Sequence, residues 1–128
     1  MKHEEDENQR ALIKWATLAT PRIPQLALLF AVPNGGRRDA REAARLKGTG
    51  VKAGVPDLLL PYGYEIIANG LRGHCNGLAI EMKSAKGRVT PEQTRWHDML
   101  RGAGWQVNVC RSWHEAREVI CKYLGVKP

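Results

Sequence analysis

Two acids and one lysine of this chain sit where they could do chemistry together. Asp57 follows Pro56 near the start of an apolar run at residues 55–60, and Glu81 stands two positions before Lys83 in a second run at 78–83. Side chains alternate along a strand, so Glu81 and Lys83 share one face and Met82 takes the other. If the two runs are neighbouring strands, Asp57 joins that face. Two convergent carboxylates are hard oxygen donors suited to Mg²⁺, which binds through one or two carboxylates plus substrate phosphate oxygens. Such a cation activates water and offsets charge at a phosphoryl centre. Lys83 would add a fixed positive charge beside it. This is phosphodiester hydrolysis in outline.

The bland alternative makes Asp57 a strand-entry residue capping backbone N–H groups and Glu81 and Lys83 a solvated pair. Against it stands the setting of Glu81 among Leu78, Ala79, Ile80 and Met82. An acid in an apolar strand is costly to bury without a partner or an ion.

The elements that must position these residues follow from periodicity and punctuation. Residues 4–18 place Ala11, Leu12, Trp15, Ala16 and Leu18 along one helical face before Pro21 and Pro24. The apolar run 26–32, bounded by Pro24 and by Pro33-Asn34-Gly35-Gly36, predicts a strand. Residues 38–47 are rich in helix formers and stop at Gly48-Thr49-Gly50. Strands are expected at 55–60, with Pro56 at its entry, and at 78–83. The glycine-rich stretch 61–77 between them predicts a hairpin or a mobile loop. Thr90-Pro91-Glu92-Gln93 and Ser112-Trp113-His114-Glu115 are capping boxes that open two further helices. The first ends at Gly102 and Gly104, and residues 105–110 alternate as a strand. The resulting order, α-β-α-β-β-α-β-α, predicts an α/β fold with a central sheet covered by helices.

The bulk numbers fit one domain over 1–128. At 128 residues folding buries roughly two-thirds of the unfolded surface, and 43% hydrophobic with 26% charged residues is a globular composition. A net charge of +7 favours a polyanionic partner. No apolar run reaches the roughly 18 residues of a membrane span, and the acidic amino terminus is not a secretory signal. The expectation is a soluble, cytoplasmic protein with no membrane partner. Cys75, Cys110 and Cys121 lack a CxxC pair and read as reduced thiols, two of them in or near the core. His3, His74, His97 and His114 lack metal-ligand spacing and read as surface or packing residues. Trp15, Trp96, Trp105 and Trp113 read mostly as core.

A basic stripe follows the Asn34-Gly35-Gly36 turn. Arg37, Arg41 and Arg45 recur at helical intervals, with Asn34 and Arg38 beside them, while Lys47, Lys52, Lys86 and Arg88 flank the two strands. These are the candidate DNA contacts, although Glu42 could instead pair with Arg38 or Arg45. Phosphate contacts would make binding salt-dependent, with a log-log slope of about −0.9 per neutralised phosphate.

Together these motifs resemble the PD-(D/E)xK nuclease superfamily, through Pro56-Asp57 and Glu81-x-Lys83, and within it a stand-alone virus-type replication-repair nuclease (VRR-NUC) domain. The likeness also rests on Pro33-Asn34-Gly35-Gly36-Arg37, Lys47-x-x-Gly50, Gly54-Val55-Pro56-Asp57-Leu58 and Thr90-x-x-Gln93, in that order. It runs over about residues 5–124. The resemblance implies a restriction-endonuclease-like core with a mixed sheet. It adds Glu5, or else Glu7, as a first-helix acid at the metal, one turn before Gln9, and Gln93 as a further catalytic residue. It implies a Mg²⁺- or Mn²⁺-dependent endonuclease, of bacterial or phage origin, that works as a homodimer on branched DNA such as four-way junctions. Two alternatives stay open: a flap or duplex nuclease of the same family, and a catalytically silent DNA-binding accessory protein.

Overall fold

The computed structural model describes residues 2–33 and 40–128. Helix α1 (Lys2–Ala19) buries Leu12 and Ala16 of the expected stripe and half-buries Ala11 and Trp15, but Ala19 takes the buried place expected for Leu18, which is 74% exposed. It closes where the N–H groups of Arg22 and Ile23 turn back to the carbonyl of Ala19, at 2.9 and 2.8 Å.

The strand expected at 26–32 is largely absent. Pro24–Leu28 form a 3-10 turn, and only β1 (Phe30–Ala31) enters the sheet. Pro24 occupies the first helical position, where its fixed φ favours a turn. Leu26 is buried from this segment while Leu28 and Phe30, which would share its face in a strand, stay exposed, so no continuous strand face is covered. Helix α2 (Ala40–Gly48) follows. The expected turn at Asn34-Gly35-Gly36, and with it Arg37 and Arg38, lies outside the described residues.

Strands β2 (Leu58–Leu60), β5 (Gly77–Met82) and β6 (Trp105–Cys110) complete a four-stranded sheet in the order β1-β2-β5-β6. The first two pairings are antiparallel and β5–β6 is parallel. Helix α3 (Pro91–Gly102) makes the crossover between the parallel pair, and α4 (Trp113–Leu124) ends the fold. The sheet is mixed and flanked by helices, as expected.

Between β2 and β5 the stretch expected as a hairpin or loop is a hairpin. β3 (Tyr64–Ala68) and β4 (Leu71–Cys75) form a separate two-stranded sheet, two strands more than the expected order. Asn69 and Gly70 close it with φ of 54° and 79°, the signs that a type I′ turn requires. Its register stacks Tyr64 with Cys75, Ile66 with Gly73 and Ala68 with Leu71, an apolar face. Only the base of that face is covered: Tyr64 meets Tyr123 edge-on at 5.1 Å, whereas Leu71 remains 75% exposed.

All six residues of β5 are buried. Leu78, Ile80 and Met82 enter the main core with Leu12, Ala16, Ala116 and Ile120 of α1 and α4. Gly77, Ala79 and Glu81 face the opposite way. Gly77 is fixed by Trp105, because a Cβ there would lie 2.5 Å from the indole ring. The cap of α3 has both halves: Thr90 Oγ1 accepts from Gln93 N, and Gln93 Oε1 accepts from Thr90 N. The second box forms only half. Ser112 Oγ accepts from Glu115 N, but the Glu115 carboxylate accepts from Arg111 N, one residue early. All three cysteines are free and buried, one more than expected. No helix among the described residues is long and apolar enough to cross a membrane.

Candidate active site

The β2–β5 register pairs Leu58 with Ile80, and one step further it sets Asp57 opposite Glu81. Asp57 Oδ2 accepts the backbone N–H of Met82 at 2.7 Å, and its own carbonyl accepts from Val32 N at 2.8 Å. The aspartate is thus tied to both of its neighbours in the sheet. Pro56 is buried and Asp57 half-buried at the strand's mouth.

Glu81 is 1% exposed. Its Oε1 lies 3.2 Å from His97 Nε2, and its Oε2 accepts from Gln93 Nε2 at 3.4 Å. Gln93 and His97 are one turn apart on α3, so both reach down from the same helical face. Burial, and then the adjoining carboxyl of Asp57, push the Glu81 carboxyl up to about 9; Lys83 opposes the rise and Glu5 adds to it. Burial holds the His97 imidazole below its ordinary value, with the charge of Arg101 acting the same way. Lys83 is 8% exposed and on the Glu81 face, just past the strand end.

The loop after Lys83 is braced on two sides. Arg111 Nη1 donates to the carbonyls of Ser84 (2.8 Å) and Gly87 (2.6 Å). From α1, Glu4 Oε2 accepts the N–H of Ala85 at 2.9 Å. That contact brings the first turn of α1 to the site. Glu5 is near enough for its charge to act on Glu81, while Glu7 pairs with His3 at 2.8 Å on the solvent side.

Among the described residues no group of three or more His, Cys, Asp or Glu side chains makes a ready metal cage. The donor set still fits a hard divalent cation. Asp57 stands close enough to help push the Glu81 carboxyl up to about 9, so Glu81 keeps a proton well above the usual carboxylate range. A cation held by one or two carboxylates would replace that proton.

The expected DNA contacts divide. Arg41, Lys86 and Arg88 are exposed, and Lys47 and Lys52 line a cleft between α2 and α3. Arg45 is engaged in a two-point ion pair with Glu42, at 3.1 and 2.7 Å, the alternative the sequence left open. Asn34, Arg37 and Arg38 lie outside the described residues.

The residue missed from sequence is His97, which was expected only to pack or to face solvent. It is 4% exposed and its one hydrogen-bonding neighbour among the described residues is Glu81. Its signal was the four-residue spacing from Gln93 on a helix already marked by its cap.

An Asp at a strand mouth facing Glu-x-Lys on the next antiparallel strand, in a mixed sheet crossed by a helix, defines the PD-(D/E)xK class of nucleases. The sequence matches the VRR-NUC domain over residues 4–114, and the chain belongs to that family. It is therefore a nuclease of the PD-(D/E)xK type. A solved structure described as a VRR_NUC domain protein is similar to it at 29% identity and a TM-score of 0.70, covering 95% of this chain and 88% of that one. Among curated protein sequences none matches it.

Proposed function

We propose that this nuclease is a Mg²⁺- or Mn²⁺-dependent, structure-selective DNA endonuclease that acts as a homodimer on branched DNA such as four-way junctions. The observation that carries the catalytic part is Glu81, buried to 1% beside a second carboxylate and a lysine. Asp57, Glu81 and Glu5 would hold the cation, whose chemistry is to activate water and offset phosphoryl charge. Lys83 positions the attacking water or meets charge developing on the phosphate. Gln93 and His97 hold the Glu81 carboxylate in one orientation. A net charge of +7 favours the polyanionic substrate.

Support for a second copy comes from the β3–β4 hairpin, whose apolar face is left bare at Ile66 and Leu71. Two sites related by a two-fold axis suit a four-armed substrate. A flap or duplex nuclease is the second reading, favoured by the cleft described next.

The test incubates labelled four-way junction, flap, nicked duplex, linear duplex and single-stranded DNA with the protein in Mg²⁺, Mn²⁺ or Ca²⁺. Asp57→Ala and Lys83→Ala serve as controls. Cleavage that needs the metal and both side chains, with junctions cut first, is the expected result. No cleavage of any DNA would defeat it and leave the accessory-protein reading, and full activity in Asp57→Ala would defeat the site assigned to the chemistry.

A further inference from the structure

A cleft of about 750 Å³ opens between α2 and α3, beside the carboxylates and separate from them. Its floor is Leu46, Val51, Trp96 and Met99, and its charged lining is Lys47, Lys52 and Arg95 against the single acid Glu92. On α3, Glu92, Arg95, Trp96 and Met99 recur at helical spacing and make one face. Gln93 and His97 make the adjacent face, which holds Glu81.

The cleft connects to the site by a second route. Gly50, Val51, Lys52 and Ala53 line it, and the chain then runs through Gly54, Val55 and Pro56 to Asp57. Gly54 has φ of +90°, and a Cβ there would lie 2.9 Å from the backbone of Glu92. Loop and helix are in contact at that point, so cleft and carboxylates share two continuous walls.

From these features we infer that the cleft is a subsite for an unpaired nucleotide of the DNA substrate, held by base stacking on Trp96 and phosphate pairing with Lys47, Lys52 and Arg95. The inference rests on the proposed DNA endonuclease and favours its flap-cutting reading. A fully paired duplex shows a protein its phosphates and base edges, with the apolar base faces hidden in the stack. A concave apolar floor is therefore useful only to a base that has left the stack. The excess of cations along the lining suits the attached phosphate. The volume falls within the roughly 300–1,000 Å³ of small-ligand pockets, which admits a nucleotide and excludes a duplex.

Fluorescence anisotropy in EDTA, where nothing is cut, tests this. A labelled blunt duplex is compared with the same duplex carrying a short single-stranded overhang. Wild-type protein is expected to bind the overhang form about tenfold more tightly, the order that one stacked base supplies. Two variants change only exposed positions: Met99→Glu puts a negative charge on the floor, and Lys52→Ala with Arg95→Ala removes two cations. Each is expected to bring the ratio close to one, with thermal unfolding confirming that the fold is kept. Equal wild-type binding of both DNAs, or a ratio that survives both folded variants, overturns the subsite. A variant that shifts sedimentation while keeping the ratio assigns the cleft to a second copy and also overturns it. Failure of the nuclease reading shows separately, as absence of cleavage in Mg²⁺ or Mn²⁺ whatever the ratio in EDTA.

Discussion

Asp57 Oδ2 takes the N–H of Met82 at 2.7 Å, so the aspartate is fastened to the strand that carries Glu81. The bond separates two roles of one side chain. In Asp57→Asn the carboxamide oxygen still accepts that N–H, while the charge is lost. Cleavage is expected to fall by more than the roughly 10–100-fold typical of residues behind the ligands, with little change in Tm. Asp57→Ala loses activity equally and also strands the Met82 N–H, at a cost of about 1–3 kcal/mol. Equal Tm values for the two variants would show that the bond does not contribute to stability.

In the proposed mechanism His97 acts on the substrate only through Glu81. His97→Ala is expected to raise the Mg²⁺ or Mn²⁺ concentration for half-maximal cleavage by about 10–100-fold, with His97→Gln recovering part of the loss by restoring a donor. A purely structural histidine would lower Tm without moving the metal requirement. Titrating the metal for both variants distinguishes the two.

The Glu81 carboxyl has an ordinary value of 4.5 and is raised to about 9 in the folded chain. Between those limits the folded state holds a proton that the unfolded state has released, so stability falls as pH rises across the window. Without metal, Tm is expected to be lower at pH 8.5 than at pH 6, and a divalent cation should restore more of it at the higher pH. His97, whose own value is lowered from 6.5, acts in the opposite sense below about pH 7 and offsets part of the fall there, so the drop in Tm should be steepest above about pH 7. A flat metal-free Tm over this range would contradict the assignment.

Gly54→Ala meets two obstacles, a φ of +90° and a Glu92 backbone 2.9 Å from the new methyl. The expected loss is about 1–3 kcal/mol in unfolding free energy, accompanied by reduced cleavage because Asp57 stands three residues along the same loop. Gly48→Ala, with open space around its Cβ, is the matched control and should stay close to wild type in both measurements.

The legible parts of the molecule were those set by short-range rules. Glu81-x-Lys83 in an apolar strand, the Thr90–Gln93 box and the glycine stops around β6 could be read letter by letter, because alternation and capping depend on near neighbours. Residues 26–32 could not, since apolar letters alone do not separate a strand from a 3-10 turn and the burial of Leu26 depends on packing against α1. His97 was hidden for a related reason. Its partner lies 16 residues away on another element, and pairing across a crossover leaves no local pattern. The choice between Glu5 and Glu7 was not legible because it depends on how α1 docks on the loop after Lys83, where Glu4 accepts the Ala85 N–H.

The β3–β4 hairpin has a meaning for the order in which the chain folds. Residues 61–76 separate β2 from β5, and an open loop of that length would have to be closed before Asp57 could meet Glu81. The hairpin does the closing locally: its Asn69-Gly70 turn zips Ala68 to Leu71 and runs back to Tyr64 and Cys75, an event of about 1–10 μs. By then Leu60 and Leu78 are already near one another, and the pairing that continues through Leu58 and Ile80 ends at the two carboxylates. The Asp57–Glu81 pair is thus the last tooth of a zipper that starts at an exposed turn, and a slower turn at Asn69-Gly70 would delay its assembly.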